Sequence, residues 1–306
     1  MADLALRLGK DMLVVDGSMA TMLESQGLDI SDCVAFYNIS DEETVQTIHK
    51  LYKQAGADCI STNTFQANRI ALQKFDLEEQ VEAINTKAVK LAKSVKPQHV
   101  LASVGPLGVM DYPSVDRSLP EGALLKDIEE KEALATSVFT EQLKALLLES
   151  PDAILFETFT SLDEAVCAVS CAKLLTDLPI IMSFSFTSEE RLPLTDETVE
   201  EVAQNFERIG ADVYGMNCMA HEEIVKFIPQ FKKATDKPLL VMPSAGLPQT
   251  NSLGDKIYPL SSDDMARYAN EYRDLGVQFI GGCCGTQAAH IAAIFSQIHK
   301  KDVKVQ

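Results

Sequence analysis

No tryptophan occurs among the 306 residues, which argues against an aromatic cage for a quaternary ammonium ligand. Positive charge is scarce. Lys and Arg number 27 against 45 Asp and Glu, a net charge of −18. That balance argues against nucleic acid or an anionic membrane surface as a partner, because both need basic patches. No apolar run reaches the roughly 20 residues of a membrane span. Met1-Ala2-Asp3-Leu4 carries an acid where a signal peptide would be basic, so a cytoplasmic chain is expected. Neither G-x-G-x-x-G nor G-x-x-x-x-G-K-[ST] occurs, which leaves nucleotide binding without support. The motifs of serine hydrolases and of water-activating zinc enzymes are also missing: Gly-x-Ser-x-Gly, His-x-His and His-Glu-x-x-His. The seven cysteines are odd in number and show no small-domain spacing, so a disulfide framework is not expected.

What is present reads as one globular domain over residues 1–306. Hydrophobic residues make up 46% and charged residues 24%, ordinary values for a packed chain. Eight nearly continuous apolar runs recur: Met12–Asp16, Asp58–Asn63, His99–Gly105, Ala153–Thr158, Pro179–Phe186, Asp212–Cys218, Pro238–Gly246 and Val277–Cys284. Runs of this kind suit strands covered on both faces, as in parallel sheets. Helical patterns alternate with them: Asp41–Ala55, Ala67–Val95, Asp127–Ser150, Leu162–Thr176, Asp196–Ile209, His221–Ala234, Ser262–Leu275 and Thr286–His299. Thr195 and Ser261-Ser262 read as helix starts, and Asp127–Glu132 as an acidic, solvated first turn. Gly56, Gly210 and Gly276 each stand just before a strand, as helix C-caps. The alternation predicts an α/β fold, a (β/α)8 TIM barrel, with an open doubly wound sheet as the alternative.

A barrel gathers its active site at the C-terminal ends of its strands. Those ends carry Asp16-Gly17, Asn63-Thr64, Glu157-Thr158, Asn217-Cys218, Ser244-Ala245-Gly246 and Gly281-Gly282-Cys283-Cys284-Gly285. Three of the seven cysteines fall here. Cys218, Cys283 and Cys284 suit a zinc ion with an open fourth position; the alternative is small buried residues at a crowded mouth. Zinc held by three thiolates carries a net negative charge, which disfavours water activation. It still binds and deprotonates a thiol, which stays nucleophilic. Alkylation of a thiol substrate is therefore favoured over hydrolysis. Asp16 and Glu157 are candidates to hold a substrate ammonium group, or are hydrogen-bonded structural acids. Cys167 and Cys171 lie at i, i+4 among Val166, Ala168, Val169 and Ala172 and read as core. His221 opens a helix three residues after Cys218 and reads as a polar start or a neighbour of the site.

Phe279-Ile280-Gly281-Gly282-Cys283-Cys284-Gly285-Thr286 resembles a signature of the homocysteine S-methyltransferase family. Gly215-Met216-Asn217-Cys218 is similar to that family's first zinc-ligand motif. Asp16-Gly17-Ser18-Met19-Ala20-Thr21-Met22-Leu23 is similar to its N-terminal one, and Thr62-Asn63-Thr64-Phe65 and Phe156-Glu157-Thr158 also match. The resemblance implies a zinc-dependent barrel that moves a methyl group to homocysteine sulfur, giving methionine. It implies one Zn2+ per chain on Cys218, Cys283 and Cys284. Asp16, Gly17, Asn63, Glu157, Asn217 and Ser244 are the expected substrate contacts. Where the family usually has Pro-Asn-(Ala/Ser)-Gly, this chain has Pro243-Ser244-Ala245-Gly246. Ala245–Tyr258 is most similar to the homocysteine domain of cobalamin-dependent methionine synthases. No Asp-x-His-x-x-Gly corrinoid motif occurs, and the length leaves no room for folate and cobalamin domains. The expected donor is therefore a methyl-corrinoid protein acting as partner, with S-methylmethionine as the other candidate. The competing reading is a non-catalytic zinc- or thiol-binding subunit of a corrinoid methyltransfer assembly.

Overall fold

The apolar runs become eight parallel strands. They are β1 (Leu13–Val14), β2 (Cys59–Ser61), β3 (His99–Val104), β4 (Ala153–Phe159), β5 (Ile180–Phe184), β6 (Val213–Asn217), β7 (Leu239–Met242) and β8 (Phe279–Ile280). This computed structural model describes residues 3–29, 31–110, 121–250 and 256–299. Each strand pairs with its sequence neighbour from β2 to β8, and β8 pairs with β1. A parallel bridge from Val15 to Cys59 then joins β1 to β2. The expected (β/α)8 barrel is the observed architecture, and the open sheet is not.

The returning helices are α1 (Glu42–Gln54), α2 (Val81–Ser94), α3 (Glu121–Leu147), α4 (Leu162–Leu175), α5 (Val199–Gln204), α6 (His221–Ala234), α7 (Ser262–Asp274) and α8 (Ala288–Ile298). Strand residues alternate between two apolar layers. Ile154, Phe156, Ile180, Met182, Tyr214, Met216 and Val241 face the helices, whereas Leu13, Val15, Cys59, Leu101, Leu155, Ile181, Val213, Leu240 and Phe279 fill the bore. A short N-terminal helix, Leu4–Arg7, plugs the bottom, with fully buried Leu4 packed into the bore cluster. The Gln278 amide pins that plug: it donates to the carbonyls of Arg7 (2.9 Å) and Asp11 (2.6 Å) and accepts from Gly9 N–H (2.8 Å). Among the described residues no helix is long and apolar enough to cross a membrane.

Several sequence expectations need correction. The run Ala67–Val95 is not one helix. Asp76, with a φ of 56°, ends the first piece, Arg69–Gln73, and α2 begins only at Val81. Thr195 does not cap α5. Its hydroxyl donates to Glu197, and Thr198 forms the capping box with Glu201, so the helix starts three residues later. Asp127–Glu132 is not a first turn, because α3 already runs from Glu121. The expected strands Met12–Asp16 and Val277–Cys284 shrink to two residues each. Past Ile280 the chain still bonds its neighbours, from Gly282 N–H to Asp16 O (3.1 Å) and from Cys283 N–H to Pro243 O (2.8 Å), but outside ladder register. Gly56, Gly210 and Gly276 take left-handed φ values of 101°, 75° and 76°, as the C-cap reading required.

Candidate active site

Two irregular stretches of backbone bring the cysteines together. Cys218 follows the last residue of β6 at a φ of 60°, a region that non-glycine residues rarely enter. Cys283 and Cys284 follow β8. Gly285, at a φ of 80°, then turns the chain where any Cβ would strike the Tyr258 ring. The three sulfurs lie within 4.8 Å of one another, and Cys218 Sγ is 3.5 Å from Cys284 Sγ. Bonds of about 2.3 Å in a tetrahedral zinc site separate sulfurs by about 3.8 Å, so these residues fit the ion. Crowding works against three free thiols. The S–H of Cys283 pulls the Cys218 thiol down, but Cys284 and burial outweigh it and push Cys218 up to about 12. Contact with Cys218 and Cys284, together with burial, pushes Cys283 well above the ordinary thiol range. A soft cation reverses this crowding by stabilising the thiolates.

Two acids lie near the thiols, Glu157 within reach of the Cys284 charge and Asp16 within reach of Glu157. Asp16 is 4% exposed. Its Oδ2 accepts from Ser61 N–H and its Oδ1 from the Ser61 hydroxyl, each at 2.9 Å. Burial pushes its carboxyl up to about 8 against those bonds, and the Glu157 charge adds to the rise. Glu157 Oε1 accepts from the Ser103 hydroxyl at 2.5 Å. Burial again dominates and lifts this carboxyl to about 7, with the Cys284 charge contributing. A bulge in β4 sets Glu157. Phe156 pairs with Met182 and Phe159 with Phe184, so an extra residue lies between them. Both phenylalanines face the helices, while Glu157 and Thr158 are left at the mouth.

The other expected contacts occupy different places. Ser244 is 8% exposed, and its side chain lies close enough to the Cys218 thiol to lower its pKa slightly. Asn217 is fully buried and reaches Cys283 Sγ at 3.8 Å. Asn63 Nδ2 donates to Val34 O (2.8 Å), and its own carbonyl accepts from Asn38 (2.7 Å), tying the segment after β1 across the mouth. Gly17 lies where a Cβ would come within 2.8 Å of Thr286 Oγ1 and 2.9 Å of Tyr52, a tight packing position. His221 turns away from the thiols: it stacks on Tyr268 and bonds Tyr272 (2.9 Å) and Glu271 (3.0 Å). Sequence reasoning missed Ser61, Ser103 and Ser183, and named Thr158 only as the strand-end neighbour of Glu157. Strand alternation carries the signal for the three serines, since each is the polar, bore-facing residue near the C-terminal end of its strand. The segment Ala245–Tyr258 is described only in part. It forms a small hairpin, Gln249–Thr250 with Lys256–Ile257, and residues 251–255 lie outside the described residues.

Comparison with known proteins shows the family. A profile described as homocysteine S-methyltransferase matches residues 13–298. Homocysteine S-methyltransferase 2 of Zea mays is 30% identical over 327 residues, covering 96% of this chain and 92% of that protein. A methionine synthase of Mycobacterium tuberculosis is 27% identical over 95% of this chain, which spans only 25% of that enzyme's length. Among solved structures, the metallated form of the Escherichia coli homocysteine methyltransferase MmuM aligns with a TM-score of 0.75 at 24% identity. That alignment covers 94% of this chain and 97% of the other. The chain belongs to the homocysteine S-methyltransferase family.

Proposed function

We propose that this chain methylates the sulfur of homocysteine, with one zinc ion held by Cys218, Cys283 and Cys284. The observation that carries the reading is the meeting of three sulfurs within 4.8 Å at the mouth that also holds Asp16 and Glu157. When bound, zinc with three thiolates supplies a fourth position at which an incoming thiol loses its proton and stays electron-rich. The protein's own groups do the rest. Asp16 and Glu157 take the substrate ammonium, whose charge draws both carboxyls back to the ionised form. Ser61 and Ser103 fix the two acids in place. Ser244 and Asn217 hold the thiol side of the pocket. With its ammonium and sulfur both anchored, homocysteine presents a lone pair to the methyl carbon in line with the bond that breaks. The donor leaves with that bonding pair.

The donor is a methyl group on a corrinoid protein or on a sulfonium such as S-methylmethionine. The resemblance of Ala245–Tyr258 to the cobalamin-dependent branch is the ground for the first, and the length of the chain, which spans 92% of the single-domain-sized maize relative, is the ground for the second. The test incubates the zinc-loaded chain with homocysteine and either methylcobalamin or S-methylmethionine and measures methionine. Methionine formed with one donor, and abolished by chelation, is the expected result. Efficient turnover of S-methylmethionine by the isolated chain removes the corrinoid partner from the account. Homocysteine and zinc binding without turnover of either donor reduces the chain to a thiol-binding subunit.

A further inference from the structure

We infer that Asn217 is a positioning residue that couples the thiol cluster to the carboxylate side of the pocket. The inference rests on the zinc–homocysteine reading above and extends it to a residue that need not touch substrate. Asn217 closes β6 with no exposed surface, and its amide is surrounded by partners. Its Oδ1 accepts from Thr158 N–H at 2.8 Å and from the Ser183 hydroxyl at 2.7 Å. Its Nδ2 donates to Thr158 Oγ1 at 2.7 Å and to Cys283 Sγ at 3.8 Å. The orientation is forced. A backbone N–H can only donate, so the amide atom facing Thr158 N is the oxygen, and the nitrogen must face the sulfur.

Both ends of this link are structurally demanding. Thr158 is β-branched yet has a φ of 62°, a conformation that persists only when its surroundings impose it. It directly follows Glu157 in the bulge of β4. Two bonds from one amide therefore hold the peptide unit that aims Glu157. The same amide's remaining N–H points at Cys283 Sγ and holds that sulfur in its orientation. A shift of the amide moves the ammonium site and a metal ligand together. A residue that only fills the bore would change stability and leave both sites as they are.

Asn217→Asp separates the two cases. It keeps the shape and the acceptors for Thr158 N–H and Ser183, removes the two Nδ2 donors and sets a carboxylate oxygen beside Cys283. Cobalt(II) is the probe, read by competition with a chromophoric chelator and by its sulfur-to-metal charge-transfer band. Partners of metal ligands typically change affinity by about 10- to 100-fold, and a loss of that size with a shifted band is expected. Apparent KM for homocysteine should rise more than kcat falls. Ser183→Ala, which touches only Oδ1, should bind cobalt far closer to wild type. Should Asn217→Asp not fold, Thr158 carries the test: Thr158→Val should raise KM, and Thr158→Ser, which keeps the hydroxyl, should restore it. A folded Asn217→Asp with wild-type cobalt affinity and band overturns the inference while leaving the function reading intact. Weakened metal binding with an unchanged KM, or an unchanged KM in Thr158→Val, removes the coupling. A wild-type chain that binds no cobalt overturns the function reading and this inference together.

Discussion

Cys218, Cys283 and Cys284 meet at the barrel mouth from two strand ends more than sixty positions apart, whereas Cys167 and Cys171 lie one turn apart on α4. The i, i+4 spacing of the helical pair is compatible with a metal clamp, but the apolar residues around it read as core, and the structure agrees. Cys171 is 4% exposed within the apolar layer, and Cys167 packs against the same cluster, with its sulfur 3.5 Å from the Thr136 hydroxyl. Contact with Cys171 and burial push the Cys167 thiol up, which keeps it protonated. Among the described residues only the mouth gathers three ligand atoms of His, Cys, Asp or Glu. A soft-metal site therefore depends on how many donors converge and on backbone that can bring them in, here Cys218 and Gly285 in left-handed conformations.

The largest expected effect bears directly on this contrast. Cys218→Ala, Cys283→Ala and Cys284→Ala should each lose zinc and turnover together, while Cys171→Ala retains about one ion per chain. Elemental analysis of the purified variants decides it, and a Cys284→Ala protein with full zinc and activity contradicts the assignment. Next comes Glu157→Gln, which keeps shape and removes charge. Losing a charge-assisted hydrogen bond of about 1.5–3 kcal/mol weakens homocysteine binding by roughly 10- to 150-fold, measurable by calorimetry. Unchanged affinity would make the carboxyl structural.

Proton linkage gives a third, smaller effect. With their carboxyls raised to about 8 and about 7, Asp16 and Glu157 must shed protons before they hold an ammonium. Homocysteine affinity should fall as pH drops below that range, by up to about tenfold per unit for each proton taken up. Affinity that stays flat there would exclude both acids from the ammonium site. The same shift has a consequence for stability. A carboxyl raised in the folded state favours folding below its unfolded value of 3.8, and that contribution is lost as pH rises through about 8. Asp16→Asn should therefore raise the thermal midpoint of the substrate-free protein near the top of that range, with a gain that shrinks towards acid. An equal gain at both ends would point to packing rather than charge. The smallest effect returns to α4: Cys171→Ala should cost on the order of 1 kcal/mol in denaturant unfolding, and Cys167→Ala less.

Much of this was legible in the chain because each local signal agreed with the global fold. Continuous apolar runs mark strands buried on both faces, and small and polar residues at their ends mark the mouth. Cys218, Cys283 and Cys284 could be read from those ends without knowing their distances. What escaped depends on departures from regular structure. The bulge that turns Glu157 inward comes from register against β5, which no run of β4 residues encodes. The break at Asp76 overrides a helical pattern that continues on both sides of it. Ser61 and Ser103 acquire their roles only because Asp16 and Glu157 face them from neighbouring strands.

Zinc-edge X-ray absorption of the loaded protein, recorded with and without homocysteine, tests the central claim most directly. The account predicts three sulfur neighbours at about 2.3 Å with one lighter ligand, rising to four sulfurs when homocysteine binds. A first shell dominated by nitrogen or oxygen, or a sulfur count that stays unchanged with homocysteine bound, would contradict it.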